Sequence, residues 1–142
     1  MAPKERAPDN ANKAPKELVC GKGYTWSFTK AGYTRWRVSS WDAGTDAEDL
    51  VRDFSKATEK AAKAWAEDAK CSGPCPGKEE CSKGGIRIGP PSANGDRNTW
   101  PPVYDRKYEK CTIYVKVTCE ATVICYCGNR DPEMTKGSTE LP

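Results

Sequence analysis

Cys111-Thr112-Ile113-Tyr114-Val115-Lys116-Val117-Thr118-Cys119-Glu120-Ala121-Thr122-Val123-Ile124-Cys125-Tyr126-Cys127 is the run that decides the fold. Ile113, Val115, Val117, Cys119, Ala121, Val123, Cys125 and Cys127 fall at every second position, with Thr112, Tyr114, Lys116 and Thr118 between the first of them. Period-two alternation of β-branched and aromatic residues predicts half-buried strand. One straight strand over the whole run would span about 55 Å at about 3.3 Å per residue. A domain of this size has a radius of gyration near 15 Å, so that strand would overhang. The expectation is therefore a hairpin with a three-residue turn at Cys119-Glu120-Ala121. It keeps parity and pairs Val117 with Val123, Val115 with Cys125 and Ile113 with Cys127; one long strand bent by a bulge is the alternative.

Toward the N-terminus, Gly89 to Pro102 reads as a long loop marked by Pro90-Pro91, Asn94-Gly95 and Pro101-Pro102. Gly85 to Ile88 is a short strand, and Cys71 to Cys81 is a compact Gly- and Pro-bearing loop. Before it, Thr45 to Lys70 predicts a helix. Leu50, Phe54, Ala57, Ala61 and Trp65 recur at spacings of three and four, giving one apolar stripe. Thr45 with Glu48 has the pattern of a capping box, and Ser72-Gly73-Pro74 stops the helix. From Lys22 to Trp41 the pattern predicts a second hairpin. Tyr24, Trp26 and Phe28 share one face, Lys30-Ala31-Gly32 supplies the turn, and Trp36 and Val38 return.

These elements predict an α+β fold, with one long amphipathic helix packed on a mainly antiparallel β-sheet and disordered termini. Residues 1–17 read as a disordered N-terminal tail, 18–127 as a single disulfide-rich domain and 128–142 as a flexible C-terminal tail. The two ends carry too little apolar surface to offset chain entropy.

The chain has 142 residues, eight cysteines and no histidine. The cysteines are Cys20, Cys71, Cys75, Cys81, Cys111, Cys119, Cys125 and Cys127. An even count in a small chain of 37% hydrophobic residues reads as a disulfide framework stabilising a small core, and so as a secreted or extracellular protein. No N-terminal apolar stretch resembles a signal peptide, which implies a cleaved leader or another export route. Cys125 and Cys127 point to one strand face and fit bridge geometry poorly with each other. Their natural partners lie in the loop bearing Cys71, Cys75 and Cys81. The competing use of thiols is metal binding. No C-x-x-C knuckle occurs, and Cys71-x3-Cys75 with Cys125-x-Cys127 is the set that could enclose zinc. The expectation is no metal and no cofactor.

Absent histidine removes Ser-His-Asp and Cys-His catalysis and imidazole zinc sites. Asp105, Glu109 and Glu120 lie on or beside the C-terminal strands, but their spacing singles out no glycosidase pair. The chain reads as a binding or structural module rather than an enzyme. A small secreted enzyme or toxin acting on nucleic acid or glycan without histidine, and an intracellular Cys-zinc protein, are the alternatives. No apolar run approaches the roughly 20 residues of a membrane span, so a soluble chain is expected.

A net charge of +3 is too small to specify a polyanion by itself. Between Gly21 and Trp41, however, Lys22, Lys30, Arg35 and Arg37 occur with six aromatics and no acid. Tyr24, Trp26, Phe28 and Trp36 are expected in the core. Tyr33, Arg35, Arg37 and Trp41 remain as candidate binding residues, for a protein or glycan partner, or for nucleic acid.

Overall fold

The computed structural model describes residues 13–35, 40–93, 103–105 and 110–142. Its strands are β1 (Glu17–Val19), β2 (Lys22–Tyr33), β3 (Lys70–Ser72), β4 (Cys81–Ile88), β5 (Val103–Asp105), β6 (Lys110–Thr112), β7 (Tyr114–Cys127) and β8 (Glu133–Glu140). The helix α1 (Ser40–Asp68) lies between β2 and β3 in the chain. β4, β7, β2 and β8 form one sheet in that order, with β7 antiparallel to both its neighbours and β8 parallel to β2. β1 pairs β3 in parallel, and β5 pairs β6 antiparallel. The fold is α+β.

The helix lies across β7 and β2. Its buried positions are Ala43, Ala47, Phe54, Thr58, Ala62, Trp65 and Ala66, a helical stripe rich in alanine that permits close approach to the sheet, and Ala69 just past its end is buried too. Thr58 is wholly buried because its hydroxyl donates back to the Phe54 carbonyl at 2.8 Å. Tyr24, Trp26, Phe28, Trp65, Ala121 and Val123 form one core cluster; Phe54, Ile113, Val115 and Val117 form another. The opposite face of the sheet is polar. Thr25 pairs with Thr122 (3.1 Å) and Thr29 with Thr118 (3.0 Å) through their hydroxyls.

Several expectations are corrected. The run from Tyr114 to Cys127 is one strand with no turn at Cys119-Glu120-Ala121, because β2 pairs straight across it: Phe28 opposes Cys119, Ser27 opposes Glu120 and Trp26 opposes Ala121. The irregularity sits instead in β4, between Gly84 and Arg87. β2 likewise runs through Lys30-Ala31-Gly32 to Tyr33 without turning. Gly32 faces the Phe54 ring there, which lies at ordinary contact distance from where a Cβ would stand. Trp36, Arg37 and Val38 of the expected return strand lie outside the described residues.

The helix starts at Ser40, so Thr45 is internal and its hydroxyl donates to the Trp41 carbonyl (3.3 Å) instead of capping. The C-terminal stretch read as a flexible tail contains β8. Its polar composition suits a sheet edge, and it is docked by Trp26, whose indole N–H donates to Thr139 Oγ1 at 2.7 Å. Part of the expected N-terminal tail is also held: Trp65 donates its indole N–H to the Pro15 carbonyl at 2.7 Å, and Glu17 belongs to β1.

Three disulfides close the end of the sheet where β7 finishes: Cys20–Cys81, Cys71–Cys125 and Cys75–Cys127. Their sequence separations of 61, 54 and 52 mean that each restrains a long loop of the unfolded chain, which stabilises by about 4 kcal/mol per bridge on chain-entropy grounds. The adjoining Cys75 loop is held by Glu79, which accepts hydrogen bonds from the Arg130 guanidinium and, at 2.9 Å, from the Gly77 N–H. The Arg130 hydrogen bond holds the Glu79 carboxyl below its ordinary pKa.

Cys119 departs from the expected framework. It is an unbridged, buried thiol under α1, and its S–H donates to the Gly89 carbonyl at 3.2 Å. Burial pushes its pKa up, and the Glu59 charge adds to the shift. The expected bridge at Cys111 lies outside the side chains described.

Candidate functional site

The β2–β7 pair has two unlike ends. At one end Gly23 opposes Ile124, beside the disulfides; at the other Tyr33 opposes Tyr114. About ten residues of extended chain, or about 33 Å, separate them.

The Tyr33 end is built by register. Thr34 continues the pairing one step past the strand: its N–H donates to the Ile113 carbonyl, and its hydroxyl accepts from the Ile113 N–H, both at 2.9 Å. Thr34 is thereby buried. Its neighbours Tyr33 and Arg35 are left exposed, as strand alternation requires. The Tyr33 ring is 68% exposed and rests against Tyr114, with centroids 5.1 Å apart and planes inclined by 57°.

The helix supplies the other wall. Asp46, Asp49, Leu50 and Asp53 recur at spacings of three and four, so they share one side of α1. With Tyr33, Thr34 and Arg35 they line a groove of about 280 Å³. The Arg35 guanidinium lies 3.8 Å from Asp46 Oδ1, and Asp49 is bound by Arg52 one turn along the helix. Leu50 packs against the Phe54, Val115 and Val117 cluster and gives the groove an apolar floor. The lining therefore combines an exposed aromatic ring, a guanidinium and three carboxylates. That combination can stack an apolar face and hydrogen-bond several hydroxyl or amide groups at fixed positions.

The sequence candidates separate here. Tyr33 and Arg35 line the groove. Arg37 lies outside the described residues. Trp41 stands 82% exposed in the first turn of α1 and is not among the lining residues. The expected basic surface without a nearby acid is corrected, because the helix brings Asp46 beside Arg35 and adds Asp49 and Asp53. The three-and-four spacing of Asp46, Asp49 and Asp53 is visible in the sequence, but only the packing of the helix beside the strand end brings them to Arg35. Of the strand carboxylates, Glu120 accepts a hydrogen bond from the Ser27 hydroxyl at 3.4 Å on the polar sheet face.

A second hollow of about 400 Å³ on the outer side of α1 is lined by Lys56, Glu59, Lys60, Lys63, Ala64 and Glu67. It contains no aromatic residue, and Glu59 pairs with Lys63 at 3.7 Å, as expected of a solvated helix face.

No family model, curated protein or solved structure matches the chain. Among the described residues, no helix is long and apolar enough to cross a membrane.

Proposed function

We propose that the chain is a secreted binding module that recognises a neutral glycan through the groove at the Tyr33 end of the sheet. The observation that carries this reading is the exposed Tyr33 ring in the lining of a groove that also presents one guanidinium and three carboxylates. A sugar ring offers an apolar C–H face to an aromatic and hydroxyls to planar charged groups. Among the described lining residues a polyanion would meet the carboxylates of Asp46, Asp49 and Asp53 and the one guanidinium of Arg35, and that charge balance opposes it even with Asp49 paired to Arg52. The three disulfides support an oxidising, extracellular setting and a rigid base for the groove. The test is a glycan array followed by calorimetric titration of the best oligosaccharide against wild type and Tyr33→Ala. Saccharide binding that Tyr33→Ala removes is the expected result. Binding of a protein segment in place of any saccharide, or binding indifferent to Tyr33, overturns it.

A further inference from the structure

Sulfur atoms from three separate segments meet where the chain after β1, the Cys75 loop and the start of β4 converge. The Sγ atoms of Cys20, Cys75 and Cys81 all lie within 4.8 Å of one another. Cys20 and Cys81 form one disulfide, while Cys75 belongs to another with Cys127. Two whole disulfides, four sulfurs in all, therefore lie side by side. The backbone holds them from several directions. The Cα atoms are 5.8 Å apart in the first pair and 5.7 Å in the second. Cys81 and Cys127 are direct register partners across β4 and β7. Cys20, Cys75 and Cys127 form a buried cluster with Cys71 and Cys81 packed against it, but Cys71 Sγ is not among the sulfurs that meet within 4.8 Å.

A tetrahedral zinc site places each thiolate about 2.3 Å from the metal, which sets its sulfurs about 3.8 Å from one another. Cys75 Sγ, within 4.8 Å of both sulfurs of the Cys20–Cys81 bridge, is at most about an ångström beyond that separation, while Cys20 and Cys81 Sγ, bonded to each other, move apart toward it when their bond opens. Cys127 Sγ is bonded to Cys75 Sγ and moves apart from it when the bond opens. We propose that, once these two disulfides are reduced, Cys20, Cys75, Cys81 and Cys127 form a four-thiolate site for zinc. Each disulfide takes two electrons and two protons from a dithiol, which leaves as its own disulfide; the metal then displaces the four thiol protons. The Cys71–Cys125 bridge lies outside the set, so the ligands differ from the Cys71, Cys75, Cys125 and Cys127 set that spacing suggested. One knot would then tie the same segments covalently when oxidised and through a metal when reduced.

The experiment uses the full chain reduced with dithiothreitol, freed of reductant under argon and titrated with Co²⁺ followed by displacement with Zn²⁺. The expected result is one cobalt per chain with the charge-transfer and d–d spectrum of tetrahedral four-thiolate coordination. Far-UV circular dichroism should show the helix signal in the zinc-loaded reduced chain. Replacing any one of Cys20, Cys75, Cys81 or Cys127 with Ser should weaken cobalt binding by about tenfold or more and change the spectrum, because a ligand is lost. The Cys71→Ser, Cys125→Ser double variant should keep the spectrum and bind within about threefold of wild type. An octahedral cobalt spectrum overturns the proposal, as does loss of the four-thiolate spectrum in that double variant. A zinc-loaded reduced chain without helix signal overturns it equally.

Discussion

Gly137 of β8 lies under the indole of Trp26, so closely that a Cβ at position 137 would stand 2.2 Å from two ring carbons. The indole is fixed from both sides, by the core and by the Thr139 hydroxyl. A side chain at 137 can be admitted only by moving the ring or the strand. Gly137→Ala is therefore expected to lower unfolding free energy by about 1–3 kcal/mol, the usual cost of overpacking. In a Trp26→Leu background the same change should cost clearly less, because the obstructing ring is gone. Urea denaturation of the four proteins gives the coupling. Additive effects would mean that β8 is not seated on Trp26.

The helix stripe makes a second claim. Phe54 is 9% exposed, packs against Val115 and Val117 on β7, and carries the Lys30 ammonium 5.5 Å from its ring centroid. Phe54→Ala should cost about 3–5 kcal/mol through lost burial and a residual cavity. Lys56→Ala, on the exposed side of the same helix, should change stability by less than about 0.5 kcal/mol. Equal losses from the two variants would show that α1 does not face the sheet as described.

Cys119 gives stability a pH dependence of known sign. Its native pKa is raised by burial, so above the unfolded thiol's pKa, near 8.5, the native chain binds the proton more tightly than the unfolded chain. The contribution is fully present below that pKa and is lost as pH rises toward the native one. Wild type should therefore lose more stability than Cys119→Ala between about pH 8 and about pH 10. Alkylation of Cys119, read by peptide mass, should require denaturant. Parallel pH curves for the two proteins, or alkylation of Cys119 in the native state, would place this thiol in water.

The α+β class, the long helix and the bonding of Cys125 and Cys127 into the Cys71–Cys81 loop are all written in periodicity and cysteine geometry. What the sequence concealed is long-range pairing. A turn at Cys119-Glu120-Ala121 and a straight strand preserve the same alternation, so local pattern cannot choose between them. The choice is made by β2, whose twelve residues supply a matching partner. β8 was hidden for a related reason: Thr135, Gly137 and Thr139 face Trp26 and its neighbours, and a glycine that accommodates an indole looks from sequence like a tail residue. The groove was half legible. Tyr33 and Arg35 stood out as an exposed aromatic and cation. Asp46 and Asp53 join the site only through the packing of α1 beside the strand end, a long-range placement that no local pattern shows.

The groove itself is tested by three exposed residues with different placements. Tyr33 and Arg35 line it, and Trp41 is the most exposed large hydrophobic residue described yet lies outside the lining. If the Tyr33 ring stacks a sugar, Tyr33→Ala should weaken binding by about tenfold or more, since a central aromatic anchor is worth about 2 kcal/mol. Arg35→Glu should weaken it too, by removing a donor and setting a carboxylate beside Asp46. Trp41→Ala should leave affinity unchanged. All three should unfold within about 0.5 kcal/mol of wild type, because exposed side chains contribute little to folding. A neutral ligand also predicts that affinity is nearly the same in about 0.05 M and about 0.5 M salt, whereas capture of a polyanion would fall steeply over that range. Calorimetry with the oligosaccharide at both salt concentrations checks these outcomes together. A steep salt dependence, or a loss confined to Trp41→Ala, would move recognition away from the groove.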